Sequence, residues 1–213
     1  TDTIPWLLEP GSDLVIQVHM NPSGKPEPFE CSVGLYFSDE PPVATPYKIK
    51  LTSLAIDIPP NEQKFEVKDE FVLPGDVEVT RVLPHAHYLC RRMEGYAILP
   101  DGSKKWLLLI KNWDFNWQGD YQYQNSVFLP KGTKITMNYT FDNTTNNIAN
   151  PNSPPSRVIY GPQSSDEMAE LWFQLVLKNP GDRPLFDKVS REKAKATLLE
   201  FGRLGFVIDS KNP

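Results

Sequence analysis

Arg81-Val82-Leu83-Pro84-His85-Ala86-His87-Tyr88-Leu89-Cys90 is the stretch on which the reading of the chain turns. The residues leading into it, Val77, Val79, Arg81 and Leu83 set against Glu78, Thr80 and Val82, alternate as a β-strand does. Side chains two apart on a strand share a face. His85 and His87 can therefore turn both imidazoles toward one point, as a bidentate donor for a soft or borderline metal. The whole chain holds only three histidines, so two of them one residue apart read as a pair. The plain alternative is that each histidine packs or caps something.

Outward from this strand, short alternating segments recur at regular spacing. Tyr47–Ser53, Lys64–Leu73, Gly95–Leu99, Lys105–Lys111, Ser126–Leu129, Thr133–Phe141 and Met168–Lys178 are predicted strands, as is the whole of Val77–Tyr88. Pro59-Pro60-Asn61, Pro74-Gly75-Asp76, Pro100-Asp101-Gly102 and Pro130-Lys131-Gly132 punctuate them as turns. Many short strands at this spacing indicate an all-β fold, a β-sandwich or jelly roll. Two further strands are expected earlier, at 13–20 and at Cys31–Ser38. The Pro-rich connector Glu40–Pro46 follows them and is the candidate domain boundary. One helix is expected, over Phe186–Leu204, with Ser190 as its cap and Ala194, Ala196, Leu198 and Leu199 as its apolar positions.

Composition narrows the function. The chain has 213 residues, 39% hydrophobic and 11% aromatic, enough for a sizeable core. A net charge of −5 provides no broad basic face, which argues against nucleic acid as a partner. No apolar run is long enough for a membrane span. Cys31 and Cys90 form neither a CxxC nor a zinc-finger spacing, and one disulfide or two thiols are both open to them. Asn138-Tyr139-Thr140 and Asn143-Thr144-Thr145 are glycosylation sequons, of consequence only in a glycosylating compartment. No Gly-x-Ser-x-Gly elbow supports a serine hydrolase.

A second informative stretch is Gly161-Pro162-Gln163-Ser164-Ser165-Asp166-Glu167-Met168. Alone it reads as a helix start, with Ser164 and Glu167 spaced as a capping box and Met168 as core. Taken together, His85-x-His87, an interval of about eighty residues, and Ser-Ser-Asp-Glu-Met running into an apolar strand resemble another pattern. They are similar to the catalytic half of the copper type II, ascorbate-dependent monooxygenases, the family of the peptidylglycine- and dopamine-hydroxylating enzymes. The resemblance covers roughly residues 13–178. It implies two jelly-roll sandwiches with one copper each, His85, His87 and Met168 being the ligands of the oxygen-binding copper. It implies a hydroxylation that uses O2 and an external reductant, one oxygen atom entering a substrate C–H bond and the second electron coming from the other copper. The donor chemistry agrees, since two imidazoles and a thioether suit Cu(I) and leave a position open. Zinc more often gathers a third nitrogen, a carboxylate or thiolates.

The resemblance also has gaps. His19 resembles one ligand of the second copper, but the adjacent His-His pair that should precede it is missing. Residues 1–45 are therefore expected to be the last strands of a preceding, mostly absent sandwich. Residues 46–180 would then be the copper-binding jelly roll and 181–213 a tail with the helix. The start at Thr1 rather than Met fits a processed or excised piece. The bland alternative for His19 is an ordinary strand histidine. Leu83 stands where peptide-hydroxylating members carry a carboxylate-binding Arg, and Glu170 and Trp172 replace an Asn and a Tyr. These departures argue against a peptidylglycine and leave an unknown small-molecule or peptide substrate. No catalytic residue is expected beyond the metal ligands.

The aromatic segment Lys111–Gln118 offers Trp113 and Trp117, with Trp172, as walls of a substrate pocket, or else as plain packing. Two other function classes compete with the oxygenase. An electron-transfer protein could combine His85, His87, Cys90 and Met168 in a blue-copper set. Strand parity points Cys90 away from the histidines, however, and Met168 is remote in sequence. The third class is a copper-binding sandwich without oxygenase activity. Copper chemistry suggests an extracytoplasmic location, periplasmic or secreted.

Overall fold

The computed structural model describes residues 4–18, 20, 23–40, 42 and 44–203. The chain divides into two units, Thr1–Pro46 and Tyr47–Pro213. The described residues of the first unit form no strand or helix, where strands were expected at 13–20 and Cys31–Ser38. The alternating pattern is present, with Leu14, Ile16, Val18 and Met20 on one side of it, but all four side chains are exposed. A strand needs a partner for its backbone groups and a surface for its apolar face, and the described residues of this unit supply neither.

The second unit is an all-β sandwich. Its strands are β1 (Pro46–Thr52), β2 (Asp57–Ile58), β3 (Phe65–Val72), β4 (Val77–Ala86), β5 (Cys90–Ile98), β6 (Lys104–Ile110), β7 (Tyr121–Leu129), β8 (Lys134–Phe141), β9 (Val158–Ile159) and β10 (Ala169–Leu177). One four-stranded sheet runs β1-β10-β4-β7 and the other β3-β8-β5-β6, while β2 and β9 make a small ribbon. The neighbours are nested, β1 with β10, β3 with β8, β4 with β7 and β5 with β6. One long antiparallel hairpin rolled onto itself gives that nesting, and the result is a jelly roll.

The alternating residues meet between the sheets. Leu171, Phe173 and Leu175 of β10 and Met93, Met137 and Tyr139 of the facing sheet are all buried. Gly95 of β5 lies where any side chain would collide, since a Cβ there would be 2.9 Å from Leu171 Cδ2. The absence of a side chain lets the two sheets close at that point.

β4 departs from the strict alternation expected of it. Gln174 pairs with Arg81, yet Leu175 pairs with Val79, so Thr80 is an extra residue in β4. Its hydroxyl donates to the Gln174 carbonyl at 3.1 Å, which fixes the bulge. An inserted residue flips the parity of everything after it. Val77 and Val79 point into the core before the bulge, and Val82, Pro84 and Ala86 after it. His85, odd-numbered like Val77, is thereby turned to the outer face of the sheet.

Helix α1 (Arg183–Arg203) follows a 3-10 turn over Pro180–Asp182. The capping residue is Asn179, whose side chain accepts the Gly181 N–H at 3.1 Å. Ser190, the expected cap, is mid-helix and lies 3.2 Å from the Tyr47 hydroxyl. The helix packs along β1 and β3 through Phe186, edge-on to Tyr47, and through a Lys193–Asp69 ion pair. Leu198 and Leu199, expected to be buried, are exposed, because the face that meets the sandwich carries Phe186 and Val189 instead. No helix of the described residues is long and apolar enough to cross a membrane.

Candidate metal centre

Antiparallel partners directly opposite one another share a sheet face. Glu170 of β10 pairs with His85, and Trp172 with Leu83. Ala169 pairs with Ala86, and both are buried in the core. His87 and Met168 lie one residue beyond the last pair of that register. Pairing thus puts His85, Glu170, Leu83 and Trp172 on the outer face of the sheet, while His87, beyond the strand end, is 4% exposed. His87 and Met168 occupy the two strand ends, just beyond β4 and just before β10.

The two rings are 5.2 Å apart between centroids and inclined at 80°. His87 Nδ1 lies 3.0 Å from the Asp166 carbonyl oxygen, which can only accept, so that nitrogen carries the proton. His85 Nδ1 lies 2.6 Å from Gln118 Oε1. The Gln118 amide is itself oriented, since its Nε2 donates to the Phe115 carbonyl at 2.9 Å. His85 Nδ1 is therefore also the protonated nitrogen. In the neutral form of each ring, Nε2 would then carry the lone pair, the tautomer a metal requires. Nδ1–H bonded to an oxygen is the usual way in which a metal-binding histidine is held.

The segments that bear these residues are pinned by Glu167, which does not act as half of a capping box. Ser164 to Asp166 form a turn rather than a helix start, closed by the Asp166 carboxylate on the Gln163 N–H at 3.1 Å. Glu167 is 0% exposed and points inward. Its Oε1 accepts the N–H groups of His87 and of Met168, and its Oε2 the N–H of Leu89. Burial pushes this carboxyl up to about 8, against the opposing pull of the N–H groups. A single buried acid thus fastens the turn after β4 to the residue that precedes β10.

The aromatic segment wraps the same site. Trp113, 6% exposed, donates its indole N–H to the His87 carbonyl at 3.0 Å. Phe115 meets the His87 ring edge-on at 5.8 Å and stacks obliquely on Tyr88 at 4.3 Å. Trp117 is 75% exposed, one residue before Gln118. Arg81 anchors the end of the segment through Asp120 at 2.5 Å. Trp172 is half-buried, with its indole N–H on Glu170 Oε2 at 2.9 Å and Lys50 over its ring at 4.8 Å.

Glu170, across from His85, has one carboxylate oxygen on Lys50 and the other on Trp172. Among the described residues no group of three or more His, Cys, Asp or Glu side chains is arranged to hold a metal. Met168 immediately precedes β10, and a set of two imidazoles and a thioether would suit Cu(I) better than zinc. Cys90, the thiolate of the blue-copper alternative, belongs to β5 in the other sheet. It is buried in the core, and burial raises its thiol well above the ordinary range. His19 lies outside the described residues.

Gln118 and Glu167 were missed as site residues. Gln118 gives no periodic signal, and the burial of Glu167 comes from the fold rather than from its neighbours in sequence. No protein-family model and no curated protein matches the chain.

Proposed function

We propose that this chain is the copper-binding jelly roll of a monooxygenase, related to the copper type II, ascorbate-dependent family and hydroxylating a C–H bond of a small organic substrate. The observation that carries the reading is the tautomer of the two histidines. Asp166 and Gln118 engage the two Nδ1 atoms, which would leave Nε2 of each neutral ring as the donor, and Met168 immediately precedes β10, the strand paired with β4. His85, His87 and Met168 would hold the ion. When bound, copper would supply a one-electron couple and an open position for O2.

The surrounding residues fix and shield that position. Phe115 covers the His87 ring edge-on, backed by Tyr88, and shields that side from water. Leu83 and Trp172, paired across the strands, make the neighbouring surface apolar, as a substrate C–H bond requires. Arg81, the nearest arginine along β4, is engaged by Asp120 and Gln122, which favours a substrate not held there by a carboxylate. Reduction would come from an external donor such as ascorbate, and an extracytoplasmic location follows from the chemistry. The exposed apolar residues Leu14, Ile16, Val18 and Met20 favour a second sandwich that completes the first unit and brings the other copper.

The test is copper titration of the reduced chain, followed by O2 uptake with ascorbate and a panel of apolar substrates. One copper per chain, lost in His85→Ala and His87→Ala, with substrate-dependent uptake, is the expected result. Copper binding indifferent to both substitutions would refute the assignment. Tight copper binding without uptake, even with a second sandwich supplied, would leave a copper-binding protein without oxygenase activity.

A further inference from the structure

A pocket of about 400 Å³ opens between β1 and helix α1, and the metal reading makes no use of it. It lies at the small end of the range for organic-ligand sites. Three of its lining residues are lysines, Lys48, Lys50 and Lys193, and none is acidic, in a chain of net charge −5.

Two of these ammonium groups are held in place from behind. Lys50 is bonded to Glu170 Oε1 at 3.0 Å, and Lys193 to Asp69 Oδ1 at 2.5 Å. Asp69 is fixed in turn, its second oxygen accepting the Thr52 N–H at 2.8 Å. An ammonium has three N–H donors, so a single carboxylate partner leaves others to offer. The side-chain entropy of ordering these lysines is already spent in the folded chain.

An independent observation lies on the same wall. Thr52 lines the pocket, is 9% exposed, and its hydroxyl has no hydrogen-bond partner. A buried hydroxyl left unpaired is a place where a ligand atom or a water is expected. The rest of the lining is apolar, with the Trp172 ring, Phe71 and Leu198.

We propose that this pocket binds an amphipathic organic acid, its anionic group between the lysines and its apolar body against Trp172, Phe71 and Leu198. Apart from the Trp172 ring, the site is built from residues that the metal reading does not use. Binding needs no metal, so it is separable from the proposed oxygenase activity.

The experiment is equilibrium binding of 3-phenylpropionate to the metal-free chain, with 3-phenylpropanamide as the neutral probe of the same shape. Calorimetry and tryptophan fluorescence follow both. The acid is expected to bind at least about tenfold more tightly than the amide, and more weakly as salt is added. Ala194→Phe, which fills the pocket from an exposed helix position, should abolish binding without altering the near-UV circular dichroism. Lys48→Gln, at another exposed position, should weaken the acid and leave the amide unchanged. Equal binding of acid and amide, no binding of either, or an acid affinity untouched by Ala194→Phe would each overturn the proposal.

Discussion

Glu167 Oε2 accepts the backbone N–H of Leu89 at 2.9 Å, while its other oxygen accepts the N–H groups of His87 and Met168. One side chain therefore closes the seam between the two segments that carry the candidate ligands. Glu167→Ala would strand these buried donors, at about 1–3 kcal/mol for each unsatisfied group. Unfolding in urea should show a loss of about 3 kcal/mol or more. Glu167→Gln keeps one accepting oxygen and should lose clearly less. Equal stability of Glu167→Ala and the unmodified chain would mean that the clamp is of no consequence.

The same residue gives a pH dependence. Its carboxyl titrates at about 8 when folded and near 4.5 when unfolded. Between these values the folded chain keeps a proton that the unfolded chain has lost. The contribution of Glu167 to stability is thus fully present below pH 4.5 and declines as pH rises to about 8. Denaturant curves at intervals from about pH 5 to about pH 8 should show the unmodified chain losing stability relative to Glu167→Gln. A gap that widens with pH would give the opposite sign.

Gln118 acts on the site through His85. Gln118→Leu removes the acceptor for Nδ1–H, and a loss of this kind costs about ten- to a hundredfold in metal affinity. Gln118→Glu keeps an acceptor and should retain most of the affinity. The side chain is exposed, so the melting temperature should hardly move in either variant. Competition with a Cu(I) chelator measures the first effect and a thermal melt the second.

Strand alternation and turn residues were enough to reveal the sandwich, because β-branched and aromatic residues at period two have no other use here. The bulge at Thr80 was not legible. A single extra residue leaves no mark in an alternating sequence, yet it decides which way His85 faces. Read without it, Val77, Val79, Arg81 and Leu83 would share a face with the histidines. The histidine pair and Met168 were visible as residue types, whereas their tautomers depend on Gln118 and Asp166, brought there by a loop and a turn. For α1 the helix was legible and its buried face was not, since Phe186 at its start outweighs Leu198 and Leu199 in contact with the sandwich.

The cysteines differ in reach. Neither forms a disulfide, Cys31 being exposed and Cys90 buried. Thiolate is the reactive form, and burial holds Cys90 as the thiol. Iodoacetamide should label Cys31 alone in the native chain, and both cysteines after denaturation, as read by peptide mass. Native labelling of Cys90 would contradict its place in the core. The sequons behave similarly. Asn143 is fully buried, its amide shared among the carbonyls of Ile58, Pro59 and Ser156, so no glycan should be found on it in folded protein.

The central claim is that two imidazoles and one thioether hold a single copper ion. Copper-edge X-ray absorption of the reduced, copper-loaded chain tests it most directly. The account predicts one sulfur and two imidazole nitrogens around copper, with the sulfur signal lost in Met168→Leu and the fold unchanged. A spectrum without sulfur, or one that Met168→Leu leaves as it was, would contradict it.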